Sequence, residues 1–142
     1  MTTQQNSVLI RRLWEEVVNA HNLERARELC IPDYVHHDPA LPGTDIHGLD
    51  NYLQTISAFF TALPDIHVTV HDLISEGDKV VSRWTFRGTH QAALMGIPAT
   101  GKQVAVGAIS VHRLNGGKIV EGWVNFDTLG LLQQLGAVSM PG

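Results

Sequence analysis

At Pro64 the hydrophobic period of this chain changes from helical to strand-like, and that single switch sets the fold class. Before it, Leu9, Leu13 and Val17 recur every fourth residue, with Ile10, Trp14 and Val18 alongside, as in a one-sided helix. Thr2 and Gln5 have the spacing of a capping box at its start. His21-Asn22 should end it, with Asn22 free to cap a short helix from Leu23 to Cys30. A third stripe, Leu49, Leu53, Ile56, Phe60 and Leu63, with Tyr52 and Phe59 beside it, runs into Pro64 and stops there.

Beyond Pro64 the alternation is strict. Ile66, Val68 and Val70 alternate with His67, Thr69 and His71, and Glu76-Gly77-Asp78 reads as a turn. Val80, Trp84 and Phe86 oppose Val81, Arg83 and Thr85 in parity, which leaves Arg83 and Arg87 for solvent. After the loop MGIPATGK, strands are expected over 103–114 and 118–127, joined by the tight-turn signal Asn115-Gly116. The segment LGLLQQLG closes the pattern as a short amphipathic tail. Helices followed by hairpin-linked strands predict an α+β domain spanning 1–142. Long strands twist, so the sheet should curl, and the third helix should cover part of its concave face and leave a pocket.

Composition matters here for what it excludes. The net charge of −4 and the lack of a basic run argue against nucleic acid. No apolar stretch approaches the ~20 residues of a membrane helix, and the N-terminus lacks a signal-peptide pattern. The single cysteine, Cys30, cannot form an intramolecular disulfide; it fits a cytoplasmic setting and a packing role.

The final strand carries the first candidate site. Simple alternation puts Glu121, Trp123, Asn125 and Asp127 on one face and Val120, Gly122, Val124 and Phe126 on the other. A tryptophan among an amide and two acids suits a ligand cavity, with a half-exposed sheet edge as the alternative. Asp127 in such a cavity would have its carboxyl pKa raised by desolvation and could move a proton from carbon. It also directly precedes TLGLL, where an aspartate can cap a helix, and both roles are open.

The second candidate is YVHHDP, 34–39. Adjacent residues of an extended segment point to opposite sides, so one of His36 and His37 should face the pocket. A metal site is not expected: His67 and His71 would be attached ~13 Å apart on a strand, too far for one ion. No phosphate-binding loop and no G-x-S-x-G elbow occurs.

Four segments, YVHHDP, LPDIHVTVHDLISEGDKVVSRWTFRGTH, MGIPATGKQV and HRLNGGKIVEGWVNFDTLGLLQQLG, occur in an order that resembles the SnoaL-like polyketide cyclases, or ester cyclases, of the nuclear transport factor 2-like superfamily. The resemblance implies a conical barrel: a strongly curved, mixed or antiparallel sheet with three N-terminal helices enclosing a pocket. It implies a cofactor-free, metal-free intramolecular aldol cyclisation of a polyketide-like ester. It assigns the general acid/base to Asp127 and implies that His36 or His37 lines the cavity, with His36 the expected catalytic histidine; Asn125, on the same face as Asp127, is expected to hold that carboxylate or polarise a substrate carbonyl. Trp123, His37, Tyr34, Phe59, Trp84 and Glu121 would then contact a small hydrophobic substrate. The best-known members carry histidine where Asn125 stands, and asparagine cannot shuttle a proton near neutral pH.

An enzyme is the favoured reading. One alternative is an epoxide hydrolase- or dehydratase-like enzyme in the same barrel, drawing on Asp127, Asp72 and Arg83. The other is a non-catalytic pocket protein that binds a small molecule. A homodimer or dimer of dimers is expected from sheet pairing, with Val104, Val106 and Ile109 as apolar surface; which parity faces out depends on the register of the final hairpin.

Overall fold

In the computed structural model, which describes residues 2–40 and 45–139, the helices and the strands after Pro64 follow the order expected, but two further strands precede the third helix and join the same sheet. Helix α1 spans Thr3–Arg12 and continues as a π-helical segment, Leu13–Asn19. The Thr2–Gln5 capping box is present in both directions. This continuous helical stretch buries Ile10, Leu13, Trp14, Val17 and Val18, the stripe seen in the sequence. A 3-10 turn, Leu23–Arg25, leads into α2, Ala26–Leu29. Asn22 precedes that turn but its side chain makes no capping bond. Cys30 starts β1, Cys30–His37, instead of ending a helix; burial pushes its thiol up to about 12, so it is a packing group.

Strand β2 is the two-residue Ile46–His47, and α3 covers Leu49–Ala62. The remaining strands are β3 (His67–Glu76), β4 (Lys79–Thr89), β5 (Gln103–Asn115) and β6 (Lys118–Phe126), followed by α4 (Thr128–Gln134). The six strands form one mixed, open sheet in the order β2-β1-β6-β5-β4-β3. Only the β1–β6 pair is parallel. The N-terminal helix packs across β3 and β4, α3 lies against β1, and α4 against β5. Val104 and Val106 belong to the core beneath these helices, whereas Ile109 is half exposed on the opposite face. Val104 and Val106 therefore offer no outer surface for a partner.

The hairpin between β5 and β6 decides which residues face inward. Its two-residue loop is Gly116-Gly117, both at positive φ (58° and 79°), and Asn115 pairs with Lys118. Leu114 then pairs with Ile119, but Arg113 pairs with Glu121, so Val120 is an extra residue, a β-bulge. From there outward the parity is reversed. Gly122 opposes His112, Val124 opposes Ser110 and Phe126 opposes Ala108 on the concave face.

Candidate functional site

The concave face and α3 enclose a cavity of about 710 Å³, counting its open mouth. Its walls are aromatic: Trp14 from the π-helical segment, Phe59 and Phe60 from α3, Trp84 and Phe86 from β4, and Phe126 from β6. Trp14 and Trp84 lie 4.5 Å apart between ring centroids. Their indole nitrogens donate to Ser82 Oγ (3.2 Å) and Ser110 Oγ (2.9 Å), which satisfies both N–H groups inside the apolar wall.

Against this wall stand a few polar groups: His36 and Asp38 at the end of β1, and Ser110 and His112 on β5. Tyr34, His36 and Asp38 share one side of the extended chain. Tyr34 is 1% exposed, and its hydroxyl lies 3.0 Å from His36 Nδ1. Burial pushes the Tyr34 phenol well above its usual range, so it keeps its proton. Burial, with the nearby His112 and His37 adding to it, drives His36 down to about 3. Burial alone lowers His112 to about 4. Both imidazoles are therefore neutral at physiological pH. His112 is 2% exposed, and among the described residues its Nδ1 has no hydrogen-bond partner.

Asp38 is half-buried, and desolvation raises its carboxyl pKa; the N–H of Ala40, donating to Oδ1 at 2.9 Å, offsets this in part. It is the one carboxylate on the cavity wall, and no lysine or arginine lines that wall among the described residues. The chemistry available is that of a partly desolvated carboxylate beside two neutral imidazoles in a mostly apolar chamber.

Several expected site residues lie elsewhere. Asp127 is exposed and caps α4, its Oδ1 accepting from Gly130 N–H at 2.9 Å. Asn125 is exposed, and Trp123 and Glu121 are on the convex face with it. His37 is there too, stacked on Trp123 at 5.2 Å. The alternation along β6 holds, but with the register set by the bulge at Val120 it is Gly122, Val124 and Phe126 that face inward, so the tryptophan among polar groups marks the outer face and not the cavity. Of the expected contacts, His36, Phe59 and Trp84 line the cavity, and Tyr34 supports His36 from below. Asp72 and Arg83, considered for water activation, pair with each other at 2.6 Å on the exposed face. Asp38 and His112 were legible by parity, as i+2 from His36 and i+2 from Ser110, but no single-residue motif marks them.

The geometry is that of a known family. A model of the SnoaL-like polyketide cyclases matches residues 8–135. The chain belongs to the SnoaL-like polyketide cyclase family. This SnoaL-like protein is similar in structure to IdmH, a candidate polyketide cyclase from Streptomyces antibioticus, with 35% identity, coverage of 93% of this chain and 99% of that one, and a TM-score of 0.82. A candidate SnoaL-like polyketide cyclase from Jannaschia sp. CCS1 matches at TM-score 0.88 and 22% identity, over 96% and 94% of the two chains. An NTF2-like protein from Burkholderia pseudomallei matches at TM-score 0.77 and 20% identity, over 95% and 98%. The SnoaL-like chain thus has the NTF2-like fold. Among curated proteins, none matches it significantly. No helix among its described residues is long and apolar enough to cross a membrane.

Proposed function

We propose that this SnoaL-like protein is a cofactor-free cyclase acting on a neutral, aromatic or polyketide-like carbonyl compound, with Asp38 as its proton-transfer group. The observation that carries the reading is the placement of Asp38, a carboxylate with a raised pKa, on an aromatic cavity wall near neutral His36 and His112. In the forward step Asp38 removes a proton from the carbon next to a carbonyl. The enolate carbon bonds to a second carbonyl of the same molecule, and the resulting alkoxide takes the proton back from Asp38. The electron pairs balance with no redox partner. Neutral imidazoles are suited to donate hydrogen bonds to the enolate oxygen without competing for its proton.

The decisive experiment follows exchange of α-hydrogen for deuterium in an aryl β-keto methyl ester, above the uncatalysed background. Asp38→Asn should lose the catalysed exchange while keeping its fold and ligand affinity. Full exchange in that variant would sink the assignment, and ligand-induced thermal stabilisation without turnover in the unaltered protein would favour a binding role instead.

Self-association through the convex face fits the same chain. Ile74, Val81, Val111 and Trp123 form one cross-strand row, and exposed Ile109 lies in the neighbouring row. Sedimentation of Ile109→Lys beside the unaltered protein tests it; identical masses for the two would count against this face.

A further inference from the structure

The convex face of the sheet holds a second titratable cluster, directly behind the cavity. His37 ends β1 one residue before Asp38, with its side chain on the opposite side from His36. Its Nε2 lies 2.7 Å from Glu121 Oε2 on β6, and its Nδ1 lies 2.9 Å from Asp45 Oδ2 just ahead of β2. The ring stacks on Trp123 with an interplanar angle of 18°. The remaining Glu121 oxygen takes Arg113 Nε from β5 at 3.1 Å. The two carboxylates occupy opposite nitrogens, so they do not converge as ligands of one metal ion would.

Carboxylates only accept hydrogen bonds. An imidazole with a carboxylate on each nitrogen therefore needs a proton on both, and a neutral ring would set a lone pair against Glu121 or Asp45. We propose that His37 is a positioning residue whose doubly paired imidazolium fastens the end of β1 and the start of β2 to β6, and so fixes Asp38 at the cavity wall. This rests on the proton-transfer role given to Asp38 above.

The charges around the ring support it. Burial alone would lower the His37 pKa, but the bonds to Glu121 and Asp45 outweigh burial and raise it. The pairing with His37 lowers Glu121 against its own burial, with Arg113 adding to it. Along the chain its titratable neighbours are His36, which is neutral, and Asp38 itself; across the ladder His47 of β2, paired with Val35, lies on the same face as His37. Because the folded pKa of His37 is raised, the clamp is complete below the ordinary histidine value and is lost as pH rises through the folded one. Proton transfer by Asp38 needs the opposite condition, an ionised carboxylate. Activity is thus confined to a window, with Asp38 setting the acid limb and His37 the alkaline limb.

The test uses the full chain and the aryl β-keto methyl ester as probe. H37Q should lower kcat for α-deuterium exchange by about 10-fold or more with KM within about twofold, since a small misplacement of the base acts on the chemical step. It should also abolish the alkaline limb. Imidazole NMR of the unaltered protein should report a His37 pKa above the free value and coincident with that limb. Glu121→Gln should shift both together. Amide exchange at Ala40 and Ile46, corrected for intrinsic rates, should lose protection above that pKa, and show no such step in H37Q if that variant folds. If Asp38→Asn is inert while H37Q keeps both kcat and the alkaline limb, the positioning role is overturned and the Asp38 reading survives. If Asp38→Asn is fully active, the Asp38 reading itself fails. A His37 that titrates at or below the free value overturns the clamp irrespective of activity.

Discussion

The Tyr34 hydroxyl rests directly against the backbone of Gly122, where a Cβ would collide with it and crowd His112 Cδ2 at 3.1 Å. Glycine is needed here for the close approach of a side chain and not for its backbone, whose φ is not positive. Gly122→Ala should destabilise the fold by about 1–3 kcal/mol, the usual range for overpacking a filled core. It should also displace Tyr34 from His36. Chemical denaturation measures the first effect, and the His36 imidazole shifts report the second; an unchanged midpoint would show that Tyr34 has room to move.

Asp38 and Asp127 separate cleanly by mutation. Asp127→Ala removes an N-cap and should cost about 0.5–2 kcal/mol of stability while leaving proton transfer in place. Asp127→Asn keeps a capping side chain and should change neither. Asp38→Asn should do the reverse of Asp127→Ala, with catalysed exchange falling by about 10²-fold or more and stability held. Parallel denaturation and deuterium-exchange assays on the three variants decide it.

Acid should unfold the protein through its buried histidines. His112 and His36 bind protons in the unfolded chain near the ordinary 6.5 but only at about 4 and about 3 when folded. Between those values the unfolded state holds more protons, so stability falls as pH drops from 6.5 and is preserved above it. Each histidine adds a slope of about 1.4 kcal/mol per pH unit within its window. Denaturation midpoints from pH 7 to pH 4 should show the loss, and His112→Gln should flatten it.

Ligand entry should be visible in fluorescence. Trp14 and Trp84 line the cavity, while Trp123 stacks on His37 on the other side of the sheet. A naphthyl ketone should quench emission in Trp123→Phe as fully as in the unaltered protein. Quenching should weaken in Trp84→Leu. The reverse pattern would place the ligand on the convex face.

The fold could be read from the chain because its signals are local. The change of period at Pro64, the Thr2–Gln5 box and the glycines at 116–117 each act within a few residues, and each forms as the pattern requires. The site was half legible. Extended alternation puts either His36 or His37 inward, and the structure selects His36 because it shares a side with Tyr34 and Asp38. Alternation separates the two faces of β6 correctly but does not say which is inner; that depends on the extra residue at Val120, with which Val124 and Phe126 face inward, while Asp127 caps a helix. A bulge has no composition of its own, since it is fixed by which register buries the most apolar surface across two strands.

The parallel pairing of β1 with β6 has a bearing on how the protein is made. His36 lies across from Gly122 in that ladder, so the β1 and β6 residues that line the cavity, His36 with Val124 and Phe126, come from stretches separated by more than half the chain. A contact between such distant stretches closes a large loop and forms late. During synthesis β1 must wait beside the helices, with Tyr34 and His36 uncovered, until β6 has emerged from the ribosome. A growing chain can therefore bury its first helix long before it can hold a ligand, and truncation anywhere before Phe126 should abolish binding even where helical structure persists.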